Sequence, residues 1–247
     1  MIQHLAEAIV LRTWPVQESD LLISLFTRDL GRVRGIAKAA LRSRRRFGGA
    51  LEPMTWVRAS YTEKPRQDLV RIDQMELLTS PLAQPVDYLR AATLAFYAEV
   101  LDNVLPDHDP QDAIFRLTLA TLEQTRQESC WLPLTYFSLW ITRLLGWLPA
   151  LDHCTDCGAP LAGAAYFHVL SDGLGCAAHR KPNSSLLAAE SLATAQAMER
   201  TPLAAFVHGE LWPRQRAQDL RRFTVRILER HLERRLHAAA ALRQLGG

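Results

Sequence analysis

Apolar and polar residues alternate in five short segments between residues 5 and 78, and turn residues separate the segments. An alternation with period two places apolar side chains on one face, so each segment predicts a β-strand. Gly31 lies where a hairpin turn needs a residue that tolerates a positive φ. Five strands in about 75 residues predict a small closed barrel such as an OB-fold. The segments read LAEAIVLRTW, LLISLFT, RVRGIAKAA, MTWVRASYT and LVRIDQMELL.

Beyond residue 85 the apolar positions recur with a period near 3.6, which is typical of amphipathic helices. A very apolar helix is predicted at 132–147, and a last helix is predicted at about 215–242. The sequence therefore predicts an α+β protein with an OB-fold β-barrel domain at residues 1–80. An all-α region at residues 81–247 follows the barrel.

Three of the four cysteines form a cluster with one histidine inside the predicted helical region. Two close ligand pairs separated by a loop are the usual sequence form of a tetrahedral zinc site. The spacing predicts one structural Zn²⁺ per chain in a zinc-finger-like insertion at 150–182. A degenerate site that holds no metal is the alternative. The predicted ligands are Cys154, Cys157, Cys176 and His179.

Charge is distributed unevenly although the whole chain carries only +3. Residues 1–80 have a net charge of +4, residues 81–199 have −7, and residues 200–247 have +6. Two basic ends suggest an anionic partner, although the same pattern could simply favour solubility. No segment has the ~20 consecutive apolar residues of a membrane helix, and no signal peptide is evident, so we expect a cytoplasmic protein without a membrane partner.

A run of basic residues follows the second predicted strand, with a net charge of +7 over residues 28–46. Arg32 and Arg34 are two apart on one strand and therefore share a face. This arrangement predicts an electrostatic groove for a nucleic-acid backbone, and a solvated loop without a ligand is the alternative. The residues expected to contact nucleic acid are Arg32, Arg34, Lys38, Arg42, Arg44, Arg45 and Arg46.

A second basic feature is a stripe of arginines spaced four apart on the last predicted helix, at 222, 226, 230 and 234. The stripe could be a functional ridge or a solvated helix face. The sequence has no P-loop, no dinucleotide-binding glycine motif, no H-E-x-x-H and no G-x-S-x-G. We therefore expect a protein that is not an enzyme. A metal-dependent nuclease or hydrolase is the less favoured reading of the metal cluster.

The chain resembles the RecO family of bacterial recombination mediators over essentially its whole length. The first matching stretch runs from AIVLRTWPVQESDLL through SRRRFGGALEPMTWV, the second is QMELL, and the third is YFSLWITRLLGWLPALDHCTDCGAPL. The resemblance implies an N-terminal OB-fold and a helical region with a zinc-binding insertion. It also implies binding to single- and double-stranded DNA without sequence readout, and annealing of complementary strands.

The resemblance also implies partners and site residues. RecR, the acidic C-terminal tail of single-strand binding protein and, indirectly, RecA are the implied protein partners, in the cytoplasm at the nucleoid. The basic face maps onto Arg32, Arg34 and Lys38, with residues 42–46 beside it. The metal ligands map onto the cysteines of the cluster, and His179 takes the place of a fourth cysteine. The alternative function is a zinc-containing OB-fold adaptor that binds RNA or acts in transcription.

Overall fold

The computed structural model describes residues 1–83, 85–126, 130–171, 173–206 and 212–245. Five strands close into a barrel in the order β1-β2-β3-β5-β4, with β4 pairing back onto β1. The β3–β5 pair is parallel and the other pairs are antiparallel. The strands are β1 (Ile2–Pro15), β2 (Leu21–Thr27), β3 (Gly31–Ala37), β4 (Trp56–Glu63) and β5 (Val70–Thr79).

The barrel interior is filled by the apolar residues that the alternation places on one face. Along β3 the buried positions alternate with half-buried ones, so Val33 and Ala37 point inward while Arg32 and Arg34 point outward. Val10, Ile23, Leu25, Val57 and Ile72 complete the centre of this core. The predicted α+β class and OB-fold barrel are confirmed.

Residues 40–47 form a short helical segment between β3 and β4. A 3-10 helix covers Ala40–Arg42 and α1 covers Arg44–Phe47. Phe47 is 1% exposed and packs in the barrel core, which fixes the segment. A single helical turn is unstable on its own, so this tertiary contact helps to keep the four residues helical.

Within the described ranges, six further α-helices follow the barrel, and three short strands form a small sheet with the first of the three at its centre. None of the helices in the described ranges has the length and apolar character needed to cross a membrane. The bounds are α2 (Tyr88–Val104), α3 (Asp112–Thr125), α4 (Trp131–Leu144), β6 (Ala165–Phe167), β7 (Leu174–Gly175), β8 (Ser185–Leu187), α5 (Ala189–Arg200), α6 (Gln218–His231) and α7 (His237–Gln244). The small sheet was not predicted, because strands of two or three residues show no recognisable alternation.

The single last helix predicted at about 215–242 is wrong, because α6 and α7 are separate helices. Glu233 in the connection adopts φ 53°, which ends the first helix. The carboxylate of Glu99 on α2 accepts hydrogen bonds from the N–H groups of His237 (2.9 Å) and Ala238 (2.8 Å). A carboxylate at a helix N-terminus satisfies free N–H groups and favours a new helix at that point.

Contacts divide the chain into two compact units, Met1–Arg116 with Leu236–Gly247, and Leu117–Arg235. The first unit contains the barrel, α2 and α7, and the second contains α4, α5, α6 and the small sheet. The boundary falls within α3. The domain boundaries predicted from the sequence, 1–80 and 81–247, stay a prediction.

In the second unit, α6 is held by a buried arginine that was not part of the predicted stripe. Arg221 is 7% exposed and donates to Thr135 Oγ1 (2.8 Å) and to the carbonyl oxygen of Arg216 (2.9 Å). Its guanidinium also lies 4.9 Å from the ring centroid of Trp131. Burial lowers the pKa of Arg221 to about 10, so the side chain stays charged at neutral pH.

The predicted stripe itself is interrupted. Arg222 and Arg230 are exposed on α6, Arg226 is half-buried with its guanidinium 5.4 Å from the ring of Phe167, and Arg234 lies beyond the end of α6. These four residues therefore do not form one continuous helical ridge.

Candidate nucleic-acid interface and metal centre

Two backbone N–H groups of the basic segment donate hydrogen bonds to the loop between β1 and β2. Asp20 Oδ1 accepts a hydrogen bond from the N–H of Ala39 (2.7 Å), and the carbonyl of Ser19 accepts one from Leu41 (3.2 Å). Ala39 has φ 51°, a conformation that costs free energy without such support. The Ser19–Asp20 pair thus fixes the direction in which the basic segment leaves β3.

Arg32 lies on the outward face of β3, but an acidic residue already binds its side chain. Arg32 Nε donates to Asp107 Oδ1 at 2.6 Å, and Arg32 Nη1 donates to the carbonyl oxygen of Asp102. The Arg32 side chain is 12% exposed. Although burial acts to raise the pKa of Asp107, the hydrogen bond and charge of Arg32, with the charge of Arg34, lower it overall. This placement gives Arg32 a structural partner, and its predicted contact with nucleic acid stays a prediction.

The Arg32→Gln substitution is expected to destabilise the first unit by about 1–2 kcal/mol, because it removes a charged donor from a half-buried pair. The pKa of Asp107 is lowered in the folded state, so its ion pair with Arg32 stabilises the fold at pH values above the ordinary pKa of 3.8. This stabilisation is lost as the pH falls through the folded-state pKa of Asp107. The stability difference from wild type should therefore narrow in acid. Urea unfolding at several pH values measures it.

Arg42→Gln is the matched control, because Arg42 pairs with Glu18 at 3.3 Å where the two side chains are 71% and 91% exposed. This control should change stability by less than about 0.5 kcal/mol. An Arg32→Gln protein with wild-type stability but weaker DNA binding would instead assign Arg32 to the interface.

The other predicted residues differ in whether their side chains are already engaged in contacts within the protein or exposed to an external anion. Arg46 donates to the carbonyl of Lys38 (2.7 Å) and to Ser43 Oγ (3.1 Å), so it holds the segment together. Lys38, Arg44 and Arg45 are exposed and have no hydrogen bond or ion pair from their side chains within the described part of the chain. They are the cations best placed to meet an external anion.

Arg34 is half-buried, and its Nε is a buried atom without a hydrogen-bond partner in the described ranges. The charge of Arg34 also acts on Asp107. Along the outward face of β3, Arg34 therefore follows Arg32, whose side chain is bound to Asp107. We call the part of the barrel face beyond Arg34 its open end. Its predicted contact with nucleic acid stays a prediction.

A row of outward side chains crosses the open end of the barrel face. Strand pairing places Trp14 beside Leu22, Leu22 beside Ile36, and Ile36 beside Arg71. Cross-strand partners share a face, and three of the four are half-buried while Arg71 is exposed. We call these four residues the outer row. The guanidinium of Arg12 lies 4.9 Å from the Trp14 ring centroid.

The sequence pattern did not place Arg12 or Arg71 at the interface. The pairing register was needed to find them, because the members of the row come from four strands. An aromatic ring with apolar neighbours and flanking cations is the arrangement on which unpaired bases stack. The open face therefore has both the charge and the apolar surface that a single strand requires.

The metal cluster is built by two tight turns in the second unit. In the first turn, the N–H of Gly158 donates to the carbonyl of Cys154 (2.8 Å), and Gly158 adopts φ 70°. In the second turn, the N–H of His179 donates to the carbonyl of Cys176 (3.1 Å). The N–H of Thr155 donates to the carbonyl of Leu174 (2.9 Å) and thereby joins the two turns.

The ligand atoms lie at distances that suit one metal ion. Cys157 Sγ and Cys176 Sγ are 4.0 Å apart, and His179 Nδ1 is 3.3 Å from Cys176 Sγ and 3.9 Å from Cys154 Sγ. A tetrahedral zinc ion with ordinary bond lengths would place two sulfurs about 3.8 Å apart and a sulfur and a nitrogen about 3.6 Å apart. All four ligand atoms lie within 4.8 Å of one another, so these residues can hold a metal.

The surroundings of the thiols also favour a bound cation. The N–H of Cys176 donates to Cys154 Sγ at 3.3 Å and, with neighbouring N–H groups, lowers the pKa of Cys154. The N–H groups of His179 and Ala178 lower the pKa of Cys176. At Cys157 a backbone N–H acts to lower the pKa, but the two nearby thiols raise it overall. Three thiols this close cannot all ionise easily unless a cation neutralises them.

Comparison with known proteins adds the family. The model for the N-terminal region of recombination protein O matches residues 1–81, and the model for its C-terminal region matches residues 85–240. The chain belongs to the RecO family. The "DNA repair protein RecO" of Koribacter versatilis (strain Ellin345) is 54% identical over 240 residues, which cover 97% of this chain and 98% of that protein.

Other RecO relatives match nearly the whole chain or about two thirds of it. The "DNA repair protein RecO" of Anaeromyxobacter sp. (strain K) is 35% identical over 246 residues, covering 96% of this chain and 95% of that protein. That of Geobacter metallireducens is 40% identical over 164 residues, covering 64% of this chain and 65% of that protein. The resemblance to RecO seen in the sequence is confirmed. RecO proteins are DNA repair proteins and are not a recognised enzyme family.

Proposed function

We propose that this RecO-family protein binds single- and double-stranded DNA without sequence specificity through the open face of the barrel. The observation that carries the proposal is the outer row with Lys38, Arg44 and Arg45 beside it. The cations would contact phosphates, which gives affinity without base readout. The outer row would stack unpaired bases, which every sequence can provide.

We further propose that the protein anneals complementary strands and acts with RecR to load RecA onto DNA coated by single-strand binding protein. Family membership supports this role. Binding through phosphates and stacking leaves the base-pairing edges of a held strand free, as annealing requires. The site of action would be the cytoplasm, at the nucleoid.

The acidic tail of single-strand binding protein would dock in the second unit. A cavity of about 890 Å³ there is lined by apolar Leu186 and Pro213, by the cations Arg216 and Arg222, and by the acidic residues Glu190 and Asp219. Asp219 already accepts hydrogen bonds from the N–H of Ala188 and from Ser191 Oγ. The two arginines would meet the acidic residues of the tail, and the apolar wall would meet its apolar side chains. Arg143 on α4 is a weaker candidate for this contact, because it is bound to Glu199 and its guanidinium lies 5.2 Å from the Trp140 ring centroid.

We also propose that the metal is Zn²⁺, bound once per chain by Cys154, Cys157, Cys176 and His179, with a structural role. Three thiolates and one imidazole form a closed tetrahedral shell, which leaves no open position for catalysis. The support is the donor set and its geometry.

The decisive experiment is strand annealing on DNA coated with single-strand binding protein, with and without that protein's acidic tail. The protein should accelerate annealing of coated strands, and removal of the tail should slow the accelerated reaction. No acceleration on either coated or naked DNA would contradict the proposal. Competition between single-stranded DNA and RNA of equal length tests the RNA-adaptor alternative, which requires that RNA displace DNA.

A further inference from the structure

A cavity of about 500 Å³ opens on the barrel between the end of β3 and the loop from β4 to β5. Its volume is within the range of pockets that bind small organic ligands, ~300–1,000 Å³. The lining residues are Ile36, Lys38, Lys64, Gln67, Asp68, Leu69, Val70 and Arg71.

The charge of this cavity is positive. Lys38, Lys64 and Arg71 face one acidic residue, Asp68, and two of the chain's three lysines are here although arginine is its usual base. Arg71 pairs with Asp73 at 2.7 Å, whereas Lys38 and Lys64 have no ion pair within the described residues. The two lysines can therefore accept an external anion without breaking an internal contact.

Apart from Gln67, the remaining wall of the cavity is apolar, and it is continuous with the outer row. Ile36 and Arg71 belong to both, so a strand lying along the row would reach the cavity. Leu69 is 41% exposed at the cavity wall, beside buried Val70. The exposed leucine provides an apolar surface for a flat group, and the two lysines beside it provide positive charge for an anion attached to that group.

We propose that this cavity is a subsite for one unstacked nucleotide of single-stranded DNA. The inference rests on the proposed DNA binding and makes it more specific. The phosphate would lie between Lys38 and Lys64, and the base would pack on Ile36 and Leu69. A base in a duplex is stacked and paired, so entry would cost its pairing energy. The subsite therefore favours single strands over duplexes, whereas the exposed arginines of α1 act on both.

Two single substitutions test the subsite, Lys64→Gln for the phosphate and Leu69→Ser for the base. Both residues are exposed, so both variants should fold normally. Each should weaken binding of an oligonucleotide by about fivefold and leave binding of a duplex hairpin nearly unchanged. Lys181→Gln and Leu82→Ser are the matched controls, since both residues are exposed and outside the cavity.

A fluorescent base gives an independent readout. The oligonucleotide carries 2-aminopurine, whose emission rises when the base leaves the stack. Wild-type protein should raise the emission at saturation, and Leu69→Ser should remove most of the rise.

The outcomes separate the two proposals. If wild-type protein binds neither oligonucleotide nor hairpin, the proposed function fails. If it binds both and the variants weaken both equally, or neither, the function stands and the subsite is overturned.

Discussion

Replacing Cys154 by alanine is expected to release the metal and to lower the melting temperature of the second unit by about 10 °C or more. Cys154 is fully buried, and its sulfur accepts a hydrogen bond from the N–H of Cys176. A metal ion bound to this sulfur would also hold the two turns together. Without the ion, the two remaining thiols and the two short loops have little apolar packing of their own. Metal analysis of the purified protein and thermal melting measure both effects.

The small sheet beside the cluster explains why the effect should extend beyond the loops. Phe167 on β6 packs against Phe223 on α6, with ring centroids 5.0 Å apart, and Leu174 and Leu187 are fully buried. Strands of two or three residues are not stable alone, so the metal would hold this sheet against α6. Loss of the metal should therefore loosen α6 as well, which hydrogen exchange of its amides would detect.

Cys130→Ala is the matched control for Cys154→Ala. Cys130 is the fourth cysteine, also buried, and lies outside the cluster. Its replacement should leave one equivalent of zinc bound. His179→Cys should also retain zinc, because it supplies a thiolate at the fourth position. Protein purified without chelator that contains no metal, or a Cys154→Ala protein as stable as the Cys130→Ala control, would contradict a structural zinc site.

Features that depend on local pattern could be predicted from the sequence. The alternation identified all five barrel strands, and it placed Arg32 and Arg34 on one face because the side-chain period of a strand is two. The spacing of Cys154, Cys157, Cys176 and His179 predicted a cluster that the fold brings together. In each case the determining residues are neighbours or form one short motif.

Features that depend on distant residues could not be predicted. The ion pair of Arg32 is made with Asp107, which lies 75 positions away in the chain. The break before α7 depends on Glu99, which is 138 positions from His237. The outer row needed the pairing register of four strands. No local pattern carries this information, since each feature arises from tertiary contact.

The double substitution of Arg44 and Arg45 by glutamine is expected to weaken binding of single-stranded DNA by about 60-fold near 50 mM salt and by about 10-fold near 200 mM. These numbers follow from the loss of two phosphate contacts, each of which contributes about 0.7 to the slope of log K against log[salt]. The slope should therefore fall by about 1.4. Arg44 and Arg45 are exposed, so the fold should not change.

Arg46 is left intact in this variant because it stabilises the segment rather than facing solvent freely. Its guanidinium binds the carbonyl of Lys38 and lies 5.0 Å from the ring centroid of Phe47, the residue that anchors the segment in the core. Replacing it as well would mix a change in folding with a change in binding. Arg58→Gln with Arg116→Gln is the control, since it also removes two exposed charges but from residues paired with Glu76 and Asp112. If the control lowers the slope as much as the test variant, net charge rather than the Arg44–Arg45 pair accounts for the affinity.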